Sequence, residues 1–322
     1  MQELQEYQSI LEKKINKLKF PSKPENLYDP LRYSLTLGGK RTRPTLTLLS
    51  CSMFGEPGIK AINAAIAVEL FHNFTLIHDD IMDEAPLRRG QQTVHEKWNT
   101  NIGILSGDVL FVEAFEFLSK NDPEILPELL TIFNRTAKEV CEGQQMDMDF
   151  ESMDFVSIDQ YIEMIRLKTS VLLGAALEMG ACVAKAKDED KKHLYDFGMN
   201  IGLAFQMHDD LLDLYADPDK FGKQVGGDIL SNKKTFLLLK AKELSSPKQL
   251  ALLNDIMDNE SGEEKVNKVK AIFNEIGIQA ETEKIKLRFY TEALKNLDAI
   301  SVPDENKKAL LGLAKMLMDR EH

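Results

Sequence analysis

Apolar residues recur at helical spacing along almost the whole chain. In the segment LQEYQSILEKKINKL, apolar side chains follow one another every three or four residues, from Leu4 through Tyr7, Leu11 and Ile15 to Leu18. This is the period of one face of an α-helix. Similar patterns predict helices over residues 61–84, 101–120, 123–149, 158–185, 189–217, 232–244, 247–259, 262–276, 279–298 and 303–320.

No segment shows the apolar–polar alternation of a half-buried strand. The stretch around Pro21, Pro24 and Pro30 is predicted to be a loop. No low-complexity linker and no short repeat divides the 322 residues. We therefore predict an all-α fold, with residues 1–322 forming one domain of ten or more helices packed around a buried centre.

The composition excludes several classes of protein. A hydrophobic fraction of 43% and a charged fraction of 29% are typical of folded, water-soluble chains. The net charge of -12 argues against a nucleic-acid partner, and no apolar run approaches the roughly 18 residues of a membrane span. Three cysteines without a CxxC pair, and an N-terminus unlike a signal peptide, predict a cytoplasmic protein.

Two copies of the pattern HDDxxD each follow a strongly apolar segment. Carboxylates one turn apart on a helix repel each other, and the helix dipole disfavours them near a C-terminal end. Their hard oxygens would suit Mg²⁺ with open water positions. One copy alone is explained equally well by a solvated helix end, but two copies favour two metal-binding groups. These are Asp79, Asp80 and Asp83 in the first copy and Asp209, Asp210 and Asp213 in the second.

Basic residues accompany the carboxylates in four apolar or glycine-rich places. Any one of them alone would more readily be a solvated surface charge. Together with the carboxylates they predict a receptor for a polyphosphate bound as its magnesium salt, with apolar helices to house a hydrophobic tail. They are Lys40, Arg41 and Arg43 in GGKRTRP, Arg88 and Arg89 in LRRG, Lys168 in RLKTS, and Lys223, Lys233 and Lys234 in KFGKQVGGDILSNKKT.

These segments resemble, in the same order, the sequence blocks of the trans-isoprenyl diphosphate synthases, which include farnesyl and geranylgeranyl diphosphate synthases. The blocks are GGKRTRP, HDDIMDEAPLRRG, GQQMD (Gly143 to Asp147), KTS, AFQMHDDLLD and GKQVGGDILSNKKT. The resemblance implies an isoprenoid-synthase helical bundle around a central cavity between the two aspartate-rich helices, usually as a homodimer. The chain departs from the family at Asn232, commonly glycine, and at Gln92, often proline.

The resemblance also implies a role for each candidate residue. The diphosphate of isopentenyl diphosphate would be held by Lys40, Arg43, His72 and Arg89. The diphosphate of the allylic substrate (dimethylallyl, geranyl or farnesyl diphosphate) would be held by Arg88, Lys168, Thr169, Gln206, Lys223 and Lys233. Block alignment favours Lys233 over its neighbour Lys234 as the phosphate ligand. Mg²⁺, three ions per site with substrate bound, would be ligated by Asp79, Asp83 and Asp209, with Asp80, Asp210 and Asp213 completing the clusters or binding through water.

The reaction implied by the family is a head-to-tail 1′-4 condensation. Metal ions and cations would neutralise the charge that develops on the departing diphosphate. The π bond of isopentenyl diphosphate then attacks the allylic cation, and the departing diphosphate removes a proton. A dry pocket must exclude water from the cation. The residues predicted to act in catalysis are Asp79, Asp80, Asp83, Arg88, Lys168, Asp209 and Lys233.

The length of the product should depend on residues that precede the first motif. Phe74 lies five residues before Asp79 and Phe71 lies eight before it, while the adjacent Thr75 is small. In the family an aromatic residue at the Phe74 position marks C15 or C20 products, and we favour C20. Alternatively, Phe74 only packs in the core, and a later helix near Met164 or Leu172 sets the length.

Two other functions compete with this interpretation. A class I terpene cyclase would share the first motif and the fold, but it would normally replace the second motif and would not need GGKRTRP. A non-catalytic subunit of a heteromeric synthase would be marked by loss of an aspartate from either motif, and neither motif has lost one.

Overall fold

The computed structural model of the protein describes residues 2–216 and 225–318. This part of the chain is mostly helical, which confirms the predicted all-α fold. Within it, no helix is long and apolar enough to cross a membrane. The helices are α1 Gln2–Ile15, α2 Glu25–Thr36, α3 Thr42–Met53, α4 Ile62–Met82, α5 Val94–Lys97, α6 Thr100–Ser119, α7 Leu126–Ser152, α8 Ile158–Ile165, α9 Val171–Val183, α10 Asp188–Tyr215, α11 Gly227–Leu230, α12 Phe236–Leu244, α13 Pro247–Asn259, α14 Gly262–Ile276, α15 Ile278–Ala299 and α16 Asp304–Met318.

The chain divides into two compact units. The first unit comprises Met1–Thr136, Leu172–Tyr195 and Ala299–Leu310, and the second comprises Ala137–Val171, Asp196–Asp298 and Leu311–His322. GGKRTRP and the first aspartate motif belong to the first unit. GQQMD, KTS, the second aspartate motif and SNKKT belong to the second. The single domain expected over residues 1–322 stays a prediction.

Helix α4 is the central element of the first unit. Every residue from Ala64 to Phe71 is buried, because α4 is covered by α1, α2, α3 and α6. A helix that is apolar on all sides is stable only inside a core. Its polar C-terminal end therefore continues from a fully buried segment of the unit.

In the second unit, α10 and the C-terminal helices share an apolar core. This core is formed by buried side chains that include Leu214, Ile229, Leu237, Leu253, Ile256, Val269 and Phe273. A neighbouring cluster contains Phe150, Tyr161, Met207 and Phe236. The second aspartate motif therefore also lies on a helix whose apolar side is fixed by packing.

The prediction of a loop around the three prolines is wrong for Pro30, which lies inside α2. A proline in a helix removes a backbone hydrogen bond and costs about 3 kcal/mol. In α2 this cost is offset by burial, because Pro30, Leu31, Ser34 and Leu35 form the buried face of the helix. Tertiary packing has overridden local propensity here.

The structure also differs from the strand-free prediction at one point. Leu87–Arg88 and Gln91–Gln92 form a two-residue antiparallel hairpin, β1 and β2. The connecting residues Arg89 and Gly90 have φ angles of 54° and 75°, as in the tight turns that match the twist of a hairpin. The segment between α4 and α5 is consequently a defined turn rather than an irregular loop.

Candidate active site

The first aspartate motif lies at the C-terminal end of α4. Asp79 is half-buried, Asp80 is 3% exposed, and Asp83 is exposed at the residue that caps the helix. The backbone N–H of Asp83 donates to the carbonyl of Asp79 at 2.8 Å, so the helical geometry continues to the last carboxylate. The three carboxylates therefore lie at different depths, with Asp83 the most accessible.

Arg88 binds the most buried of these carboxylates. Its Nε donates to both oxygens of Asp80, at 2.8 and 2.9 Å, and its Nη2 lies 2.7 Å from Oδ1. Burial raises the pKa of the Asp80 carboxyl, and the hydrogen bonds from Arg88 partly offset that effect. Asp80 therefore serves as an anchor that orients Arg88, whose side chain remains about a quarter exposed.

Arg89, the next residue, lies in the hairpin turn and approaches the GGKRTRP loop. Gly39 has a φ of 140°, and a Cβ built on it would lie 2.7 Å from Nη1 of Arg89. A side chain at residue 39 would therefore displace the guanidinium. Lys40 follows directly and is exposed. The structure thus brings the predicted ligands Lys40 and Arg89 to the same loop region of the first unit.

Arg43 and His72 complete this basic group, which we call the arginine–histidine cluster (Lys40, Arg43, His72 and Arg89). Arg43 Nη1 lies 3.2 Å from His72 Nε2. Burial, reinforced by the neighbouring guanidinium groups, holds the pKa of His72 well below its usual value, so the ring is neutral and Nε2 accepts from Arg43. Among the described residues, Arg43 Nε is buried without a hydrogen-bond partner. A phosphate oxygen would satisfy such a donor.

Arg41, in the same loop, has a different environment. Its guanidinium is buried, where it pairs with Glu69 and donates to the carbonyl of Leu35 at 2.7 Å and to Glu12 at 3.2 Å. Its backbone is left-handed, with a φ of 47°. Arg41 therefore links α1, α2 and α4, while Lys40 and Arg43 on either side belong to the arginine–histidine cluster.

Five aromatic rings lie beneath the first motif. Phe74 stacks on Phe111 with ring centroids 5.0 Å apart, and Phe71 lies 5.6 Å from each of them. Phe115 and Phe133 complete the group, with their ring centroids 5.0 Å apart. His78 joins its upper end, since its ring lies 4.6 Å from that of Phe74. We call these five phenylalanines the aromatic floor.

The second aspartate motif lies near the C-terminal end of α10. Asp210 is 4% exposed and accepts hydrogen bonds from Tyr161 Oη at 2.6 Å and from Gln206 Nε2 at 3.1 Å. Burial, together with the charge of Asp228, raises the pKa of Asp210 to about 7. Asp209 and Asp213 are half-buried and more accessible. Gln206, predicted to bind phosphate, thus also orients a carboxylate.

Lys168 and Thr169 lie in the single π-helical turn Arg166–Ser170, which interrupts the helix predicted over residues 158–185. Gly143 of α7 allows this turn to approach, because a Cβ there would lie 2.3 Å from the backbone nitrogen of Lys168. Lys168 Nζ donates to Asp147 Oδ2 at 2.6 Å. The GQQMD block therefore contributes both the room for the turn and the counter-charge for its lysine.

The segment after the second motif presents Lys233 and anchors Lys234. Lys233 is exposed, whereas Lys234 donates to the backbone carbonyls of Phe150 and Glu151 at the end of α7. This difference supports Lys233 rather than Lys234 as the phosphate ligand. Lys223, the other lysine predicted in this segment, lies outside the described residues.

Three further residues of this region contact the predicted site residues. Asp147 pairs with Lys168, Tyr161 donates to Asp210, and Asp228 contributes to the charge around Asp210. The position of Asp147 at the end of GQQMD was a usable signal for the first of them. Asp228 carried a similar signal, because it lies within the block GKQVGGDILSNKKT, whereas Tyr161 lies in none of the quoted blocks and its partner is distant in sequence.

The carboxylates fit a hard divalent cation by their chemistry. Asp79 and Asp83 in the first unit, and Asp209 and Asp213 in the second, are exposed or half-buried oxygen donors one helical turn apart. Within residues 2–216 and 225–318, no group of three or more His, Cys, Asp and Glu side chains has an arrangement that could hold a metal ion by itself. A bound diphosphate would supply further oxygen ligands.

Comparison with known proteins identifies the family. The polyprenyl synthetase family model matches residues 24–276. The chain belongs to the polyprenyl synthetase family. This confirms the resemblance drawn from the sequence blocks and, with it, the predicted trans-prenyltransferase function.

Individual relatives of this polyprenyl synthetase agree with the family match. The geranylgeranyl pyrophosphate synthase of Geoglobus acetivorans is 40% identical over 315 residues, which cover 97% of each chain. The geranylfarnesyl diphosphate synthase of Natronomonas pharaonis is 35% identical, with 93% of this chain and 92% of the relative covered. A solved structure of a geranylgeranyl pyrophosphate synthase is 45% identical, with a TM-score of 0.94 and 99% of each chain covered. These proteins are prenyl diphosphate synthases, so the comparison does not favour a terpene cyclase.

Proposed function

We propose that this polyprenyl synthetase condenses isopentenyl diphosphate with allylic diphosphates and releases geranylgeranyl diphosphate, C20, as its main product. The observation that supports the proposal is the presence of two sets of cationic residues, each of which would bind one diphosphate. The arginine–histidine cluster lies in the first unit, and Lys168 and Lys233 lie in the second. A cyclase, which takes one diphosphate, would not need the first set.

The arginine–histidine cluster is proposed to bind the diphosphate of isopentenyl diphosphate. Arg43 and Arg89 supply guanidinium groups, which match phosphate oxygens in geometry. The neutral His72 accepts from Arg43 at 3.2 Å and so fixes its orientation. The unpartnered Nε of Arg43 supports this role, since a bound oxyanion would complete its hydrogen bonding.

Arg88, Lys168, Thr169, Gln206 and Lys233 are proposed to bind the allylic diphosphate, together with Lys223. In the structure Arg88 and Lys168 are each held by a carboxylate, Asp80 and Asp147 respectively. Such pairing keeps a long cationic side chain oriented before substrate arrives. Less conformational entropy is then lost on binding.

Asp79, Asp83 and Asp209 are proposed to ligate Mg²⁺ directly, with three ions bound when substrate is present. Asp80, Asp210 and Asp213 complete the two groups. Asp80 and Asp210 are oriented by Arg88 and Tyr161, which suits an indirect role for both. When bound, the metal supplies positive charge that stabilises the leaving diphosphate.

The reaction then needs few groups from the protein. The allylic C–O bond breaks, its electron pair leaves with the diphosphate, and Arg88, Lys168 and Lys233 stabilise the added negative charge. The π electrons of isopentenyl diphosphate form the new C–C bond. The resulting cation loses a proton to the departing diphosphate, so no side chain is assigned as the base. Apolar walls exclude the water that would convert the cation to an alcohol.

The aromatic floor is proposed to set the length of the product. Phe74, with Phe71 behind it and the small Thr75 beside it, lies where a chain growing down α4 from the first motif would end. The stacking of Phe74 on Phe111 gives the floor support from a second helix. Met164, considered as an alternative, is buried in the core of the second unit. We also propose a homodimer located in the cytoplasm.

The decisive experiment incubates the purified protein with Mg²⁺, isopentenyl diphosphate and, separately, dimethylallyl, geranyl or farnesyl diphosphate. Product lengths are read by mass spectrometry, with Asp209→Asn and a reaction containing EDTA as controls. A dominant C20 product that requires both the metal and Asp209 would support the proposal. Failure to condense any of the three starters would overturn it, and cyclic hydrocarbons from the allylic substrate alone would indicate a cyclase.

A further inference from the structure

The described segment between the second motif and α12, residues 225–234, is attached at its beginning to α10. We call it the lysine segment, because it ends in Lys233 and Lys234. The carbonyl of Asp213 accepts from the N–H of Gly226 at 2.6 Å, and Asp213 Oδ2 accepts from the N–H of Asp228 at 3.1 Å. The start of the lysine segment is therefore fixed to the last carboxylate of the motif.

The other side of the lysine segment rests on the first turn of α14. Val266 packs so closely on Gly226 that a Cβ there would lie 2.5 Å from its Cγ1. Lys265, the preceding residue, donates from Nζ to Asn232 Oδ1 at 2.6 Å and to the carbonyl of Met257 at 2.8 Å. Two adjacent residues of α14 thus hold both ends of the segment.

Lys265 is an unusual lysine because it is only 3% exposed. A buried ammonium group needs compensation by nearby hydrogen-bond acceptors. The amide oxygen of Asn232 and the carbonyl of Met257 provide that compensation. Breaking the contact with Asn232 would leave the ammonium short of an acceptor, so the contact resists opening.

Asn232 is suited to this contact by its backbone as well as its side chain. Its φ of 54° is in the left-handed region, which asparagine tolerates better than other non-glycine residues. Its N–H donates to the carbonyl of Ile229 at 3.2 Å. Glycine, which is common here in the family, would allow the same backbone but would give Lys265 no side-chain acceptor.

Lys233 is thereby held between two anchored neighbours. Asn232 is bound by Lys265 on one side, and Lys234 is bound to carbonyls of α7 on the other. The N–H of Lys233 itself donates to the carbonyl of Asp228 at 2.9 Å, while its side chain is exposed. We propose that Lys265, through its hydrogen bond to Asn232, is a positioning residue that aims Lys233 at the allylic diphosphate. This inference rests on the proposed function.

Three variants test the proposal: Lys265→Met, Asn232→Gly and the double variant. Lys265→Met keeps most of the buried stem, and Asn232→Gly keeps the left-handed backbone while removing the acceptor. Lys268→Met is the matched control, since Lys268 lies three residues further along α14 but is exposed and paired with Glu260 and Glu264. Two readouts are needed, namely amide hydrogen exchange of residues 231–235 without substrate, and KM for each substrate.

We expect each single variant to speed exchange in residues 231–235 by about tenfold, because a hydrogen bond to a charged group is lost. KM for the allylic substrate should rise by a similar factor, while KM for isopentenyl diphosphate stays within about twofold. The double variant should behave like the single variants, because both break the same contact. Lys268→Met should change neither quantity.

Several results would overturn the inference. Unchanged exchange in Asn232→Gly would show that Lys265 does not order the segment, and this variant remains informative if Lys265→Met fails to fold. Equal increases in KM for both substrates would show a general structural effect. A wild-type enzyme without condensation activity would overturn the proposed function instead, and the exchange measurement separates that outcome from a failure of the positioning contact.

Discussion

The rings of Phe74 and Phe111 are stacked, with centroids 5.0 Å apart and planes inclined by 15°. Phe74 belongs to α4 and Phe111 to α6. Two different helices therefore hold the stacked pair in place beneath the first aspartate motif. Offset stacking of this kind stabilises both side chains beyond simple burial. An extending prenyl chain that reaches Phe74 would have to displace a supported ring rather than a free one.

Replacing Phe74 by alanine should lengthen the product. The change removes the first ring of the aromatic floor and opens space for at least one more isoprene unit, so products of C25 or longer should appear by mass spectrometry. Phe117→Ala is the control, since Phe117 lies on α6 but packs against Lys120 instead. An unchanged product length in Phe74→Ala would show that another helix, such as the one near Met164 or Leu172, sets the length of the product.

Substitution of Arg41 should lower stability, whereas substitution of Arg43 should weaken substrate binding, although the two residues are only two positions apart. Arg41→Met leaves Glu69 buried without its partner, so the free energy of unfolding should fall by about 3–5 kcal/mol. Denaturant unfolding measures this loss, and the double variant Arg41→Met, Glu69→Met should recover much of it. A fall of less than about 1 kcal/mol in Arg41→Met would show that the pair is not buried in solution.

Arg43→Met is expected to act on binding instead. Loss of a charged hydrogen bond to phosphate should raise KM for isopentenyl diphosphate at least about tenfold, with little effect on KM for the allylic substrate. Steady-state kinetics with each substrate varied in turn measures the two KM values separately. An increase in the allylic KM alone would assign Arg43 to the other diphosphate.

The sequence predicted most helices because their signals are local. Ser157 and Ser246, for example, form capping boxes with Gln160 and Gln249, and such pairs can be read from spacing alone. The two aspartate motifs were equally readable, since carboxylates one turn apart need no tertiary information. The metal-binding role of these carboxylates stays a prediction.

The structural features that could not be predicted from the sequence depend on contacts between residues that are distant in the chain. The π-helical turn packs on Gly143, more than twenty residues away, so closely that a Cβ there would lie 2.3 Å from the backbone nitrogen of Lys168. Arg41 could not be separated from Arg43 by pattern, because the difference lies in burial against Glu69. The helix through Pro30 was missed for the same reason, since only tertiary burial offsets the cost of the proline.

Gly39→Ala should weaken the binding of isopentenyl diphosphate through Arg89. A Cβ at residue 39 would lie 2.7 Å from Nη1 of Arg89, so the guanidinium must move away from the arginine–histidine cluster. We expect KM for isopentenyl diphosphate to rise about tenfold, the equivalent of one charge-assisted hydrogen bond.

Gly38→Ala is the matched control for this variant. Gly38 also has a positive φ, of 77°, but a Cβ there would meet nothing within 4 Å. Backbone strain should therefore be present in both variants, and displacement of Arg89 only in Gly39→Ala. Equal kinetic effects of the two substitutions would attribute the loss to strain and not to the arginine.

The neutral state of His72 should make the protein sensitive to acid. Burial, with Arg43 and Arg89 nearby, holds the pKa of His72 well below 6.5 in the folded state. Below about pH 6.5 the unfolded chain binds a proton that the folded protein does not, so the folded state should lose up to about 1.4 kcal/mol per pH unit as the pH falls. His72→Gln removes this contribution.

The difference in unfolding free energy between wild type and His72→Gln should therefore be constant above pH 7.5 and should shift progressively against the wild type from pH 6.5 to 5. Parallel curves for the two proteins in urea unfolding would contradict a neutral His72, because only a ring whose protonation differs between the folded and unfolded states can produce that divergence.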